Sequence, residues 1–212
     1  FDTDPSDYLA AGFEAAESNG KWTIEAAKEI IKYGKKLTKS GVIGAQEGNL
    51  SCKVGDVILI TPSAMAKDEL KPEQMAVLDL EGNWIGGPHK PSSESAMHVA
   101  MYKMRPDVTA IVHTHSPYCT AFAMAGEPVD IRNSAEFAIF YRKVPVIPYG
   151  EPGTHAIYKG MSKELVDYDT LLLENHGVVS VGKDLCDACS KCSTLELVLK
   201  TYTINRQLFP DK

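Results

Sequence analysis

No apolar run in this chain comes near the roughly 20 residues a helix needs to cross a bilayer, so no transmembrane helix is expected. Basic stretches interleaved with aromatics are also missing. Together with a formal charge of -6, that argues against a nucleic-acid surface. The opening Phe1-Asp2-Thr3-Asp4 is acidic and lacks the basic segment and apolar core of a secretion signal, so none is expected. The chain starts without Met, as a processed or partial chain would. An even cysteine framework is absent too. Cys52, Cys119, Cys186, Cys189 and Cys192 make five, which is unlike a small secreted scaffold and points to a reducing, cytoplasmic setting. There is no internal repeat, no low-complexity tract and no linker-like shift in composition.

What is present suits one substantial core, since 212 residues can bury one. Trp22, Ile24, Ala27, Ile30, Ile31 and Leu37 recur at helical spacing among lysines, which predicts an amphipathic helix over 21–40, broken by Gly41 and Gly44. Val57–Ile60, Ala76–Leu80 and Trp84-Ile85 read as strands separated by turn residues. Helical spacing returns over Ser92–Met104, with Ala96, Val99, Ala100 and Met104 on one side and Ser92 or Ser93 as the cap. Val108–Val112 predicts a strand, 117–125 a helix, Val144–Ile147 and Thr170–Leu173 further strands, and a long helix starts near Asp184. The expected architecture is a single α/β domain over residues 1–212, with helices covering a sheet and residues 1–20 a peripheral N-terminal extension.

Chemistry concentrates where the strand at 108–112 runs into His113-Thr114-His115. Strand alternation sends both imidazoles to one face, and imidazole suits zinc and related divalent ions. A catalytic metal commonly takes three protein ligands and keeps a position open. His176, between the apolar runs at 170–173 and 178–179, is a candidate third ligand. A His-x-His pair alone equally suits a surface or hydrogen-bonded core pair. His89 reads as a loop residue, His98 as a helix residue packing or hydrogen-bonding beside the site, and His155 as a residue at a pocket mouth. Pro91-Ser92-Ser93-Glu94 offers two hydroxyls and free N–H groups to an anion, although locally it also reads as an ordinary helix cap. Glu47–Ser51 reads as a tight turn, and Thr61-Pro62-Ser63-Ala64 pairs a hydroxyl with an N–H where a strand ends. Cys186, Cys189 and Cys192 step back about 60° around a helix each time, a stripe continuing into Leu195, Leu199 and Tyr202 that reads as packing rather than as a metal cluster.

Taken in order, Gly48-Asn49-x-Ser51, Thr61-Pro62-Ser63, Pro91-Ser92-Ser93-Glu94, His98, His113-x-His115-Ser116 and Asn175-His176-Gly177 resemble the class II aldolase/adducin family over roughly residues 25–200. The resemblance implies a central, mainly antiparallel sheet flanked by helices, and a homotetramer with active sites at subunit boundaries. It implies that His113, His115 and His176 bind Zn2+, one divalent ion per chain, and that Glu94 is the acid/base residue. Asn49, Ser63, Ala64, Ser92 and Ser93 would hold phosphate. The implied reaction is aldol cleavage of a 2-ketose 1-phosphate, with a phosphorylated ketose as partner and neither nucleic acid nor membrane. Dehydratases, decarboxylases and 4-epimerases share the scaffold, as do non-catalytic adducin-like proteins. The epimerases carry Asp where Glu94 stands. Four departures stand out. Gln46 replaces a threonine. Ala64 replaces a glycine, which preserves the phosphate contact only if no positive φ is needed. Ser134 falls where a neighbouring subunit's catalytic tyrosine belongs, leaving Glu136 or Tyr141 as stand-ins. The family's tail tyrosine has no counterpart in this sequence. Lys67 and Lys90 remain candidates near the phosphate.

Overall fold

The computed structural model describes residues 20–44 and 46–210. The N-terminal extension expected over residues 1–20 lies outside them, apart from Gly20, which opens the first helix. That helix, α1 (Gly20–Lys39), is followed by β1 (Asn49–Val54), β2 (Val57–Ile60), β3 (Ala76–Asp79) and β4 (Trp84–Gly86). Then come α2 (Ser95–Met104), β5 (Ala110–Thr114), α3 (Pro117–Ala125), α4 (Ala135–Phe140), β6 (Val146–Ile147) and α5 (Met161–Leu165). The strands β7 (Thr170–Leu173) and β8 (Gly177–Gly182) and the long α6 (Leu185–Leu208) complete the described chain.

The strands form one eight-stranded sheet in the order β4-β3-β2-β1-β5-β8-β7-β6. Every pairing is antiparallel except β6 with β7. Because successive side chains leave a strand on opposite faces, β5 divides its residues between two cores. Ala110 and Val112 join a cluster with α1, α3 and α6, whereas Ile111 joins one with α2 and α5. His113 therefore faces the α2 side, and it does so next to Asn49, its partner in the β1–β5 register. Burial of both sheet faces explains why β2, β5, β7 and β8 carry buried side chains at every position.

Several local expectations are corrected. Glu47–Ser51 is not a turn throughout. Only Gly48 takes a left-handed backbone, at φ +72, and Asn49 opens a central strand. Helix α2 starts at Ser95, later than the sequence pattern suggests, because Pro91 is held in a β-bridge to Pro62 and Ser93 and Glu94 make the turn that leads into the helix. Its buried face is Met97, His98, Val99, Met101 and Tyr102, so of the four predicted inward positions only Val99 is buried. Strand β5 spans Ala110–Thr114 rather than 108–112, and Val144 sits in a separate bridge to Val129. Among the cysteines of α6, Cys189 and Cys192 are buried but Cys186 is exposed.

Candidate metal centre

Three segments converge at one end of the central strands of the sheet. His113 is the penultimate residue of β5, and His115 follows that strand by one residue. His176 lies in the β7–β8 turn, where Asn175 adopts φ +57 and the His176 amide donates to the Leu173 carbonyl. Glu94 stands just before α2 and meets them from the side. The ligand atoms of Glu94, His113, His115 and His176 all lie within 4.8 Å of one another, the group among the described residues that could hold a metal ion. No cysteine joins it.

Tautomers follow from the partners. His113 Nδ1 lies 2.9 Å from the Val178 carbonyl oxygen, which accepts only, so Nδ1 carries the proton and Nε2 presents a lone pair. That lone pair is 3.0 Å from His115 Nε2 and 3.1 Å from Glu94 Oε2, while His176 Nε2 is 3.3 Å from Glu94 Oε1. Glu94 Oε1 is buried without a hydrogen bond. Lone pairs and a carboxylate crowded this closely repel one another unless a cation lies among them, so the donor set fits one divalent ion. Burial, then the neighbouring rings, pushes His115 and His176 down to about 4, which keeps both imidazoles neutral and able to ligate near neutrality. Burial works to raise the Glu94 carboxyl, whereas positive charge placed at the His113 and His176 rings and the Asn49 amide work to lower it; with a cation among the rings the balance holds the group below the ordinary carboxylate range.

Behind Glu94 runs a buried polar chain that the sequence did not announce. An ionised carboxylate can only accept, so the Asn49 amide nitrogen donates to Glu94 Oε2 at 2.9 Å. The Asn49 oxygen then accepts from His98 Nε2–H at 2.5 Å, leaving His98 Nδ1 to accept from Ser51 Oγ at 2.7 Å. Tyr102 donates in turn to Ser51 Oγ at 2.8 Å. Each bond fixes the direction of the next, and the chain requires a neutral His98. Burial, reinforced by His113, pushes that ring down to about 3.

A cavity of about 190 Å3 opens against the carboxylate. Asn49, Ser63, Ala64, Ser92 and Ser93 all line it, with Glu94, His115, His176 and Lys67. The two hydroxyl-bearing loops are tied together: the Ser63 amide donates to the Lys90 carbonyl at 2.9 Å and the Ser92 amide to the Thr61 carbonyl at 3.2 Å. Ser92 does not cap α2, since its Oγ accepts from the Glu94 amide at 3.3 Å. Ala64 takes φ +56, so the left-handed turn that a glycine would adopt freely is kept, at a cost of about 1–2 kcal/mol. His98 is hydrogen-bonded beside the site, as read from sequence. His155 is exposed and bonds Tyr158 rather than lining the cavity. Ser134 caps α4, and Ser134 and Glu136 border a separate cavity of about 290 Å3 against α6. Tyr141 is buried with its hydroxyl donating to the Lys191 carbonyl, and it does not line this cavity.

A carboxylate and three imidazoles at one end of the central strands of a helix-flanked, mainly antiparallel sheet form a group that could hold a metal ion, beside a cavity lined by serine and asparagine side chains. The chain belongs to the class II aldolase and adducin N-terminal domain family, whose sequence profile matches residues 28–203. A 3-oxo-tetronate 4-phosphate decarboxylase of Haemophilus influenzae is 39% identical over 184 residues, covering 84% of this chain and 87% of its own. An L-fuculose phosphate aldolase of Methanocaldococcus jannaschii is 36% identical over 178 residues, covering 84% and 96%. Among solved structures, an L-fuculose 1-phosphate aldolase superposes with a TM-score of 0.81 at 31% identity over 87% of both chains. The YgbL protein of Klebsiella pneumoniae, described as a putative aldolase/epimerase/decarboxylase, gives 0.80 at 31% identity over 86% of this chain and 90% of its own.

Proposed function

We propose that the chain is a zinc-dependent aldolase that cleaves a 2-ketose 1-phosphate of the L-fuculose 1-phosphate type into dihydroxyacetone phosphate and an aldehyde. The observation that carries this reading is the sharing of one cavity wall by Glu94, His115, His176 and all five candidate phosphate positions. His113, His115 and His176 would hold the ion. When bound, it supplies positive charge opposite the electron pair left when the C3–C4 bond breaks. Ser63, Ser92, Ser93, the Ala64 amide and the remaining Asn49 N–H hold the phosphate, so the ketose enters in one orientation. Cleavage requires that the C4 hydroxyl lose its proton and that C3 gain one. Glu94, an ionised carboxylate whose Oε1 has no hydrogen bond, is the group that delivers the C3 proton after taking up one equivalent to that lost from the C4 hydroxyl, so no net proton is gained or lost. Its anchoring through Asn49 and His98 keeps that oxygen aimed at the cavity. We place the enzyme in the cytoplasm as a homotetramer. Exposed Ile139, Phe140 and Leu197 on α4 and α6 offer apolar surface for subunits to cover.

A second reading, decarboxylation of a 3-oxo acid phosphate, is favoured by the Haemophilus relative and by Ser134. Loss of carbon dioxide starts from a carboxylate and requires no hydroxyl to be deprotonated first, so it needs no counterpart to the tyrosine whose place Ser134 takes. Both reactions release the same three-carbon product, and the second product separates them. Incubation of the metal-loaded protein with L-fuculose 1-phosphate should yield dihydroxyacetone phosphate and L-lactaldehyde. No cleavage there, with carbon dioxide released from 3-oxo-tetronate 4-phosphate, establishes the decarboxylase. Conversion of L-ribulose 5-phosphate to its C4 epimer without cleavage would overturn both.

A further inference from the structure

The cavity contains a cation that the chemistry above leaves unused. Lys67 is enclosed, with 1% of its surface exposed. Gly34 of α1 makes that enclosure possible, because a methyl group there would come within 3.0 Å of the Lys67 carbonyl oxygen and 3.1 Å of its Cβ. Lys67 Nζ donates to the Gln46 carbonyl at 2.6 Å and the Met65 carbonyl at 2.9 Å. Those acceptors belong to the two loops that carry Asn49 on one side and Ser63 and Ala64 on the other. Both are neutral, and among the described residues no carboxylate lies within ion-pair distance of the ammonium. Burial pulls the amine down to about 8, against a weaker upward pull from Glu47. An ammonium has three N–H groups and two are accounted for. The third has no acceptor among the described residues, and the side chain borders the cavity beside Ser63, Ala64, Ser92 and Ser93.

A buried charge without a counter-ion is strongly unfavourable, and neutral carbonyls offset only part of that. We propose that Lys67 is the charge-bearing floor of the phosphate subsite, whose ammonium is paired by the dianion of a bound phosphate ester. The hydroxyl and amide donors give the subsite its shape, but they would accept a neutral polyol as readily. Lys67 makes the preference electrostatic and so selects phosphorylated ketoses over free ones. The inference rests on the proposed reading of this cavity as a phosphate site. Its alternative is a lysine that only braces two loops.

The test uses the full-length, metal-loaded protein and its Lys67→Met variant, which keeps the aliphatic reach and removes the charge. Inorganic phosphate binding is measured by calorimetry, and turnover is measured with phosphorylated and non-phosphorylated forms of one ketose. The expected result is at least a tenfold loss of phosphate affinity and a similar rise in KM for the phosphorylated sugar, with kcat changed less than threefold. The preference for the phosphorylated over the free sugar, read as the ratio of their kcat/KM values, should fall by a similar factor. Phosphate affinity within twofold of wild type overturns the proposal, and so does a parallel fall in turnover of both sugars, the mark of a brace. If the variant does not fold, 13Cε-lysine NMR of the wild type decides. One lysine that titrates below the rest should move back toward the ordinary range when phosphate saturates the site, and indifference to phosphate refutes the assignment. Wild-type protein that binds no phosphate at all sinks the reading of the cavity itself. Unchanged affinity in the variant, with sugar-phosphate cleavage intact, sinks the role of Lys67 alone.

Discussion

Gly177→Ala disturbs the proposed centre without touching a ligand. Gly177 follows His176 and opens β8. A methyl group built on it sits inside the 3.0 Å limit of real contacts with the Thr114 carbonyl oxygen, and 3.1 Å from His115 Cδ2. Gly177 is not among the positive-φ glycines, so the effect is steric rather than conformational. The oxygen it meets is backbone, in a strand paired on both sides, and no side-chain rotation relieves the overlap. Either the His176 turn or the residues around His115 must move by about half an ångström or more, and sites of this kind tolerate roughly that error at most. Overpacking of this sort costs about 1–3 kcal/mol of stability, and a displacement approaching 1 Å costs on the order of 100-fold in rate. Urea unfolding of the metal-free protein should show the stability loss, and competitive chelator titration should show metal affinity reduced at least tenfold. A variant with unchanged metal affinity and stability within about 0.5 kcal/mol would falsify the close approach of the two ligand segments.

Three further outcomes follow from the same geometry. Glu94→Gln should keep its metal and bind substrate while kcat falls by roughly 10² to 10⁴, and near-wild-type turnover at saturation assigns proton transfer elsewhere. His98 has a folded pKa of about 3 against 6.5 when unfolded, so the unfolded chain binds the extra proton between those values. Its contribution is complete above pH 6.5 and is lost as pH falls toward 3, at up to about 1.4 kcal/mol per pH unit. His98→Gln should therefore flatten stability against pH by about one proton's slope across that window, and a slope identical to wild type contradicts a buried neutral ring. Changing Cys186, Cys189 and Cys192 together to Ala should lower stability through Cys189 and Cys192, with metal content unaltered. Loss of one metal equivalent from that variant would show the cysteines to be ligands.

Elements whose signal is local were legible in the sequence. Val57–Ile60 and Thr170–Leu173 are short apolar runs buried on both faces, and Pro117 with Gly126 brackets α3. Strand β1 was missed because two of its inward residues are polar. Asn49 and Ser51 face His98, so Asn-Leu-Ser-Cys-Lys-Val does not look like half of a core. The buried face of α2 departs from the apolar pattern because it includes two polar side chains, His98 and Tyr102, beside Met97, Val99 and Met101, while Ala96 and Ala100 are only half-buried. Strand alternation puts His113 and His115 on one face and the place of His176 between two apolar runs makes it a third candidate, and the structure brings the three together. The Tyr102–Ser51–His98–Asn49–Glu94 chain was not legible beyond the suggestion that His98 bonds near the site. It exists only because the β1–β5 register sets Asn49 beside His113, and no one-dimensional spacing encodes that pairing.

The central claim is that His113, His115 and His176 hold one divalent ion. Elemental analysis of protein purified without chelator tests it most directly, with His115→Ala measured alongside. Wild-type protein should carry about one equivalent of zinc per chain and the variant little, and the variant should remain folded because an open catalytic site does not hold the core together. Wild-type protein that is metal-free and fully active, or a variant that keeps its full equivalent, would contradict it.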